Sequence, residues 1–215
     1  MIETIDNIIQ LLTTGICSGI AFHRAYINQQ RVWIILGLSS FVFFLGDLYS
    51  VLYLWFYDRT PHYSNIPYLG WFASYLFLFL MLSDMQNENK RVFRYRVLLL
   101  IPVFTIGMCI FYMWVSEWNN TVDNLMHCIV MTLLLWRTIA GFLEIRRDAA
   151  LAAGQRRLYI TVLILCFAEY ATSTVSCFWM GDTLSNPYFW FDALLSVTYL
   201  LLPAALKKAV KHELH

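Results

Sequence analysis

The sequence predicts an all-α, polytopic membrane protein: a seven-transmembrane helix bundle with its N-terminus outside and its C-terminus inside. Three observations predict it. Of 215 residues, 60% are hydrophobic and only 13% are charged, whereas a soluble domain carries about 25% charged and about 45–50% apolar residues. The apolar residues gather into runs near the ~20 residues needed to cross a bilayer. The positive charges are segregated: of the fifteen Lys and Arg residues, all but Arg59 fall on one side of the runs, and positive charge marks the cytoplasmic side.

The first run, Ile8–Ala25, follows an acidic start (Glu3, Asp6) without the positive charge of a cleavable leader. It is therefore expected to be retained, and it carries Thr13, Thr14, Cys17 and Ser18. The second, Val32–Phe56, holds Asp47, with Ser40 and Ser50 placed to share its helix face. The third, Ile66–Ser83, carries Trp71, Ser74 and Tyr75. The fourth, Val97–Val115, offers only Thr105 and Cys109 and is predicted to be peripheral, because lipid tails solvate apolar side chains as well as neighbouring helices do. The fifth, Thr121–Leu143, has Asn124 and His127 near its start. In the sixth, Leu158–Trp179, residues Glu169, Thr172, Ser173 and Ser176 recur at the spacing of one helix face. In the seventh, Pro187–Leu206, Asp192, Ser196 and Tyr199 do the same, with Pro203 continuing the line.

Short connections complete the chain, so residues 1–215 are expected to form a single membrane domain with no soluble domain. The outer loops are Tyr57–Asn65, Ser116–Asn120 and Met180–Asn186; Asn119–Asn120–Thr121 is a glycosylation sequon there. The inner loops Asp84–Arg96 and Glu144–Arg157 and the tail Lys207–His215 are basic, which suits anionic lipid headgroups. Cys17, Cys109, Cys128, Cys166 and Cys177 all lie in apolar runs without a Cys-x-x-Cys pair, and read as small buried hydrophobes.

Three carboxylates inside these runs demand an explanation. An ionised carboxylate at mid-bilayer costs at least ~2.5–3.5 kcal/mol unless it is paired, protonated or facing water inside the bundle. At a rise of about 1.5 Å per residue, Asp192, His127, Asp47, Tyr75 and Glu169 all fall roughly 8–15 Å from the outer ends. No Lys or Arg shares that layer. Asp47, Glu169 and Asp192 are therefore expected to line one outer-half cavity with His127, Trp71, Tyr75 and Tyr199, and with Tyr170 and Trp190 as further aromatic faces for a cation. The plainer reading of the hydroxyls is interhelical hydrogen bonding, worth about 0.6–2 kcal/mol each.

Several chemistries are disfavoured by the same residues. The seventh run has no Lys for a retinal Schiff base, Asp-Arg-Tyr does not follow the third, and only His127 lies deep, without the His-x-x-x-His of seven-span zinc hydrolases. Asp47, Glu169 and His127 leave a three-donor metal set open. No cofactor is expected.

Three stretches resemble the seven- or eight-span sensory regions that precede GGDEF or histidine kinase domains in bacterial signalling proteins. Gly46–Asp47–Leu48–Tyr49 is similar to their Gly-Asp-x-x-aromatic motif. Thr60–Pro61 and Leu69–Gly70–Trp71–Phe72–Ala73–Ser74–Tyr75–Leu76–Phe77 resemble their Pro-containing loop and following aromatic helix, and Asp192 with Ser196–Val197–Thr198–Tyr199–Leu200–Leu201 resembles their last span. Tyr68 stands where that family usually has Asp. The resemblance implies a multi-pass sensor of the cell membrane, and the acidic, aromatic outer-half pocket is expected to accept a small amphiphilic or cationic ligand among membrane lipid. No catalytic output domain is expected beyond the seventh span, so a signal is expected to pass to a cytoplasmic signalling partner, and no nucleic-acid partner is expected. The alternatives are an intramembrane hydrolase acting on lipid, with or without a metal, and a small proton-coupled transporter.

Overall fold

A computed structural model describes residues 2–57, 65–85, 96–115, 121–145 and 152–210. Expectations resting on Arg59, Thr60–Pro61, Asn119–Asn120 and most of the inner loops lie outside these residues.

Seven helices follow one another: α1 (Ile2–Asn28), α2 (Arg31–Tyr57), α3 (Asn65–Met85), α4 (Leu100–Val115), α5 (Thr121–Ile145), α6 (Ala152–Ser176) and α7 (Pro187–Val210). A 3-10 turn, Arg96–Leu99, leads into α4. All seven spans are long and apolar enough to cross a membrane, the fourth with its 3-10 turn included, and no strand occurs among the described residues. This is the architecture of a multi-pass membrane protein. Several helices outrun their apolar runs: α1 begins at Ile2 rather than Ile8, and α6 at Ala152 rather than Leu158. The extra turns carry polar side chains at the ends, where long basic ones reach water while their stems stay on apolar surface.

Six helices form a closed ring in the order α1, α2, α3, α5, α6, α7, with α7 returning to α1. The fourth helix stands outside and packs mainly on α5, the least buried of the seven spans. Its apolar side chains Val103, Ile106, Ile110 and Trp114 point outward. The expectation of a peripheral fourth span holds, although Tyr112 ties it inward by bonding Tyr170 O (3.2 Å) and Thr174 Oγ1 (3.0 Å) on α6. The interior of the ring is filled by Phe43, Tyr75, Leu78, Met131, Leu134 and Tyr199.

Two described connections fix the ends. Between α1 and α2, Gln29 takes a left-handed φ of 52°, and its N–H returns to Ala25 O at 2.9 Å, closing the helix. Between α6 and α7, Asn186 caps α7: its Oδ1 accepts from Tyr188 N at 3.1 Å, with Pro187 at the first helical position. Asp182 in the same loop accepts from Glu3 N (2.8 Å) and Ile2 N (3.2 Å), so the connection also caps α1.

At the opposite end lie Arg24, Arg31, Arg96, Arg137, Arg156, Arg157, Lys207 and Lys208. There Arg31 Nη1 approaches Asp84 Oδ1 at 3.9 Å, and Arg137 donates to Ser83 O at 3.2 Å.

Candidate functional site

Asp47, Glu169 and Asp192 all point into the ring, Asp47 and Asp192 with only 2% and 3% of their surface exposed. None faces lipid. They do not share one set of partners, however; they divide between two neighbouring clusters at the end of the bundle where α1 begins.

The first cluster lies between α1, α2, α3 and α7. Asp47 Oδ1 accepts from Trp71 Nε1 at 3.0 Å, and Oδ2 lies 3.4 Å from Thr14 Oγ1. The Thr14 hydroxyl has a closer acceptor in Gln10 O at 2.9 Å, so Asp47 Oδ2 is the more weakly held oxygen. Ser40 and Ser50, expected beside Asp47, turn elsewhere: Ser40 to Cys17 Sγ (3.0 Å) and Leu36 O (3.2 Å), Ser50 to Gly46 O (3.2 Å). A hydroxyl one helical turn from a backbone carbonyl bonds to it readily, so sharing a face does not ensure sharing a partner. Asp192 Oδ1 accepts from Gln10 Nε2 at 2.8 Å, and the Asp192 carboxyl faces that of Asp6.

Asp6 and Gln10 are the residues that sequence reasoning missed. With the helix beginning at Ile2, Asp6, Gln10, Thr14 and Ser18 recur every fourth residue, and all are buried. The spacing was visible, but starting the span at Ile8 left Asp6 outside it.

The second cluster joins α3, α5 and α6. The Tyr75 hydroxyl donates to Glu169 Oε2. His127 Nε2 lies 3.8 Å from Glu169 Oε1, an ion-pair distance rather than a hydrogen bond. Three rings lie roughly parallel to the imidazole: Tyr170 (centroids 5.4 Å apart), Phe72 (6.1 Å) and Tyr112 (6.1 Å). Tyr112 gives α4 a part in this box that its sequence did not suggest.

A hydroxyl chain separates the two clusters. Tyr199 OH lies 2.8 Å from Ser74 Oγ, which is 3.0 Å from Ser39 Oγ, linking α7, α3 and α2. Phe43 packs on Tyr199 (4.8 Å) and Tyr75 (6.1 Å). Tyr199 therefore braces the interior, with its hydroxyl already engaged.

Other expectations are corrected. Trp190 is 65% exposed, and its indole N–H bonds Leu184 O at 3.0 Å, so it belongs to the outer surface. Ser176 is exposed and bonds Ser173 O (2.8 Å), so the polar stripe of α6 ends before it; Thr174, off that stripe, makes the contact with α4. Asp47 and the Glu169–His127 pair lie in separate clusters, and among the described residues no three His, Cys, Asp or Glu side chains form a metal-ligand group. The three-donor zinc set is not assembled. The five cysteines are free thiols.

No protein-family model, curated protein or solved structure matches the chain.

Proposed function

We propose that this protein is a sensing module of the cell membrane that binds a small amphiphilic or cationic molecule at Asp47 and signals through a separate partner. The observation that carries this reading is the state of Asp47: a buried carboxylate held firmly by one oxygen and weakly by the other. Around it lie Trp71, Phe43 and Tyr199, whose aromatic faces suit an organic cation. Among the described residues, every Lys and Arg sits at the opposite end of the bundle, so no Lys or Arg there neutralises the acidic groups. The acidic end faces outward in this reading, and the basic end meets lipid headgroups and the cytoplasmic partner.

The experiment is a thermal melt of purified protein in detergent against a series of alkyl-trimethylammonium ions. A rise in midpoint that vanishes in Asp47→Asn supports the reading. A rise that persists unchanged in that variant removes Asp47 from the site.

A second reading is favoured by one observation. Tyr75, Glu169 and His127 align a phenol, a carboxyl and an imidazole, groups suited to proton transfer at a lipid ester. Hydrolysis of a fluorogenic lipid ester that disappears in His127→Phe would favour it.

A further inference from the structure

Two thiols meet across the seam between α4 and α5, helices that run antiparallel to each other. Thr105 Oγ1 of α4 lies 2.6 Å from Thr132 Oγ1 of α5. One turn further along α4 is Cys109, and one turn back along α5 is Cys128. Equal steps along antiparallel helices keep the pairing, so Cys109 comes to face Cys128. The two thiols are hydrogen-bonded to each other, and Cys109 Sγ also reaches Asn124 O, one turn before Cys128, at 3.5 Å.

Such short side chains meet only where two helices come close. A disulfide needs the same closeness, with its Cα atoms about 4.4–6.8 Å apart. The other thiols lie elsewhere. Cys17 Sγ accepts from Ser40 at 3.0 Å between α1 and α2, Cys177 Sγ donates to Ser173 O at 3.4 Å, and Cys166 is sealed in the interior.

The surroundings suit an oxidant carried by lipid. Cys109 is buried and Cys128 half-buried. Ile106 and Ile110 of α4, with Leu125 and Ile129 of α5, flank the pair as exposed apolar side chains. Because α4 stands outside the ring, this seam borders the hydrocarbon.

The geometry points to Cys109 and Cys128 as an oxidisable pair that forms a disulfide stapling α4 to α5, with an organic hydroperoxide dissolved in the bilayer as the oxidant. The sulfur of Cys128, the more accessible thiol, attacks the terminal oxygen of the hydroperoxide. The O–O bond breaks, and the alkoxide takes the thiol proton and leaves as an alcohol. Cys109 then attacks the sulfenic sulfur of Cys128. The S–O bond breaks, the S–S bond forms, and the hydroxyl leaves with the Cys109 proton as water. Two electrons have passed from the thiols to the peroxide. A half-buried thiol in apolar surroundings reacts slowly, so the pair responds to sustained oxidation of the surrounding lipid rather than to a brief pulse.

The staple acts on the aromatic box around His127. Tyr112 follows Cys109 by three residues, and His127 directly precedes Cys128. Their rings are parallel to within 7°, with centroids 6.1 Å apart. Oxidation locks the ring of α4 over the imidazole, where non-covalent contacts alone keep it in the reduced chain. The pair is separate from Asp47 and stands without the reading made there.

The test uses the full chain in phosphatidylcholine nanodiscs, treated with cumene hydroperoxide and then unfolded for thiol counting. The number of free thiols falls by two, and mass spectrometry recovers a linked peptide pair holding Cys109 and Cys128. The thermal midpoint of the treated protein rises by a few degrees. Dithiothreitol reverses all three changes. Cys109→Ser and Cys128→Ser each abolish the linked pair, and Cys177→Ser keeps it. The thiol count and the linked peptides are read on the unmodified protein, so they do not depend on how the variants fold. All five thiols still free after treatment, a link between other cysteines, or Cys128 oxidised to the sulfinic acid beside a free Cys109 overturns the proposal. A link that forms without raising the midpoint overturns the stapling of α4.

Discussion

Trp71 reaches Asp47 across the α2–α3 seam because two glycines let the helices touch. The indole N–H bonds Asp47 Oδ1 at 3.0 Å. One residue before each partner, a Cβ on Gly70 would stand 2.7 Å from Val42 O, and one on Gly46 would stand 3.0 Å from Pro67 O. Both obstacles are backbone, which cannot swing aside.

Gly70→Ala should therefore push α3 off α2 and draw the indole from the carboxylate. Overpacking of this kind costs about 1–3 kcal/mol. The expected outcome is a lower thermal midpoint together with a weakened alkyl-trimethylammonium response. An unchanged midpoint would show that the helices separate freely, and the seam would not position Trp71.

Asp47→Asn should fold, because a neutral amide costs less to bury than an ion and its oxygen can still accept from Trp71. Its midpoint without added ligand should equal or exceed that of the unmodified chain. A fall of many degrees would mean that the charge itself holds the bundle together.

Tyr75→Phe removes the phenol that donates to Glu169 and leaves a part-buried acceptor unsatisfied, at a cost of about 1–3 kcal/mol. Pairing it with Glu169→Leu should recover part of the loss, because partners in contact are coupled by about 0.5–3 kcal/mol. Strictly additive midpoints in the double variant would show that the two groups act independently.

Asp182→Ala deletes the acceptor for the first N–H groups of α1. Loss of a helix cap costs about 0.5–2 kcal/mol. The midpoint should fall, and hydrogen exchange should quicken in the first turn of α1 while α3 is unaffected. Equal exchange in both helices would argue that the loop does not cap α1.

Gln29→Gly should stabilise the chain by a few tenths to about 1 kcal/mol. The position holds a left-handed φ that glycine adopts without strain, at the helix end where glycine is favoured. The bond from Gln29 Nε2 to Tyr26 O (2.7 Å), lost in the change, keeps the gain small. A lower midpoint would show that this bond outweighs the backbone strain.

The sequence by itself determined the number of spans, their order and the inward aim of Asp47, Glu169 and Asp192. Those follow from local rules: apolar length sets a span, and a carboxylate inside it has only the protein interior to face. The sparse polarity of α4 likewise placed it at the margin. Only the tertiary structure decided which inward group meets which. Ser40 lay on the face of Asp47 yet bonded Cys17, and Trp71 became a partner through glycine contacts whose closeness no periodicity expresses. Asp6 joined Asp192 because the first helix lies beside the last, a neighbour relation set by closing the ring. Helical spacing fixes direction about one axis, whereas partnership depends on where several axes cross, and that is a property of the packed bundle.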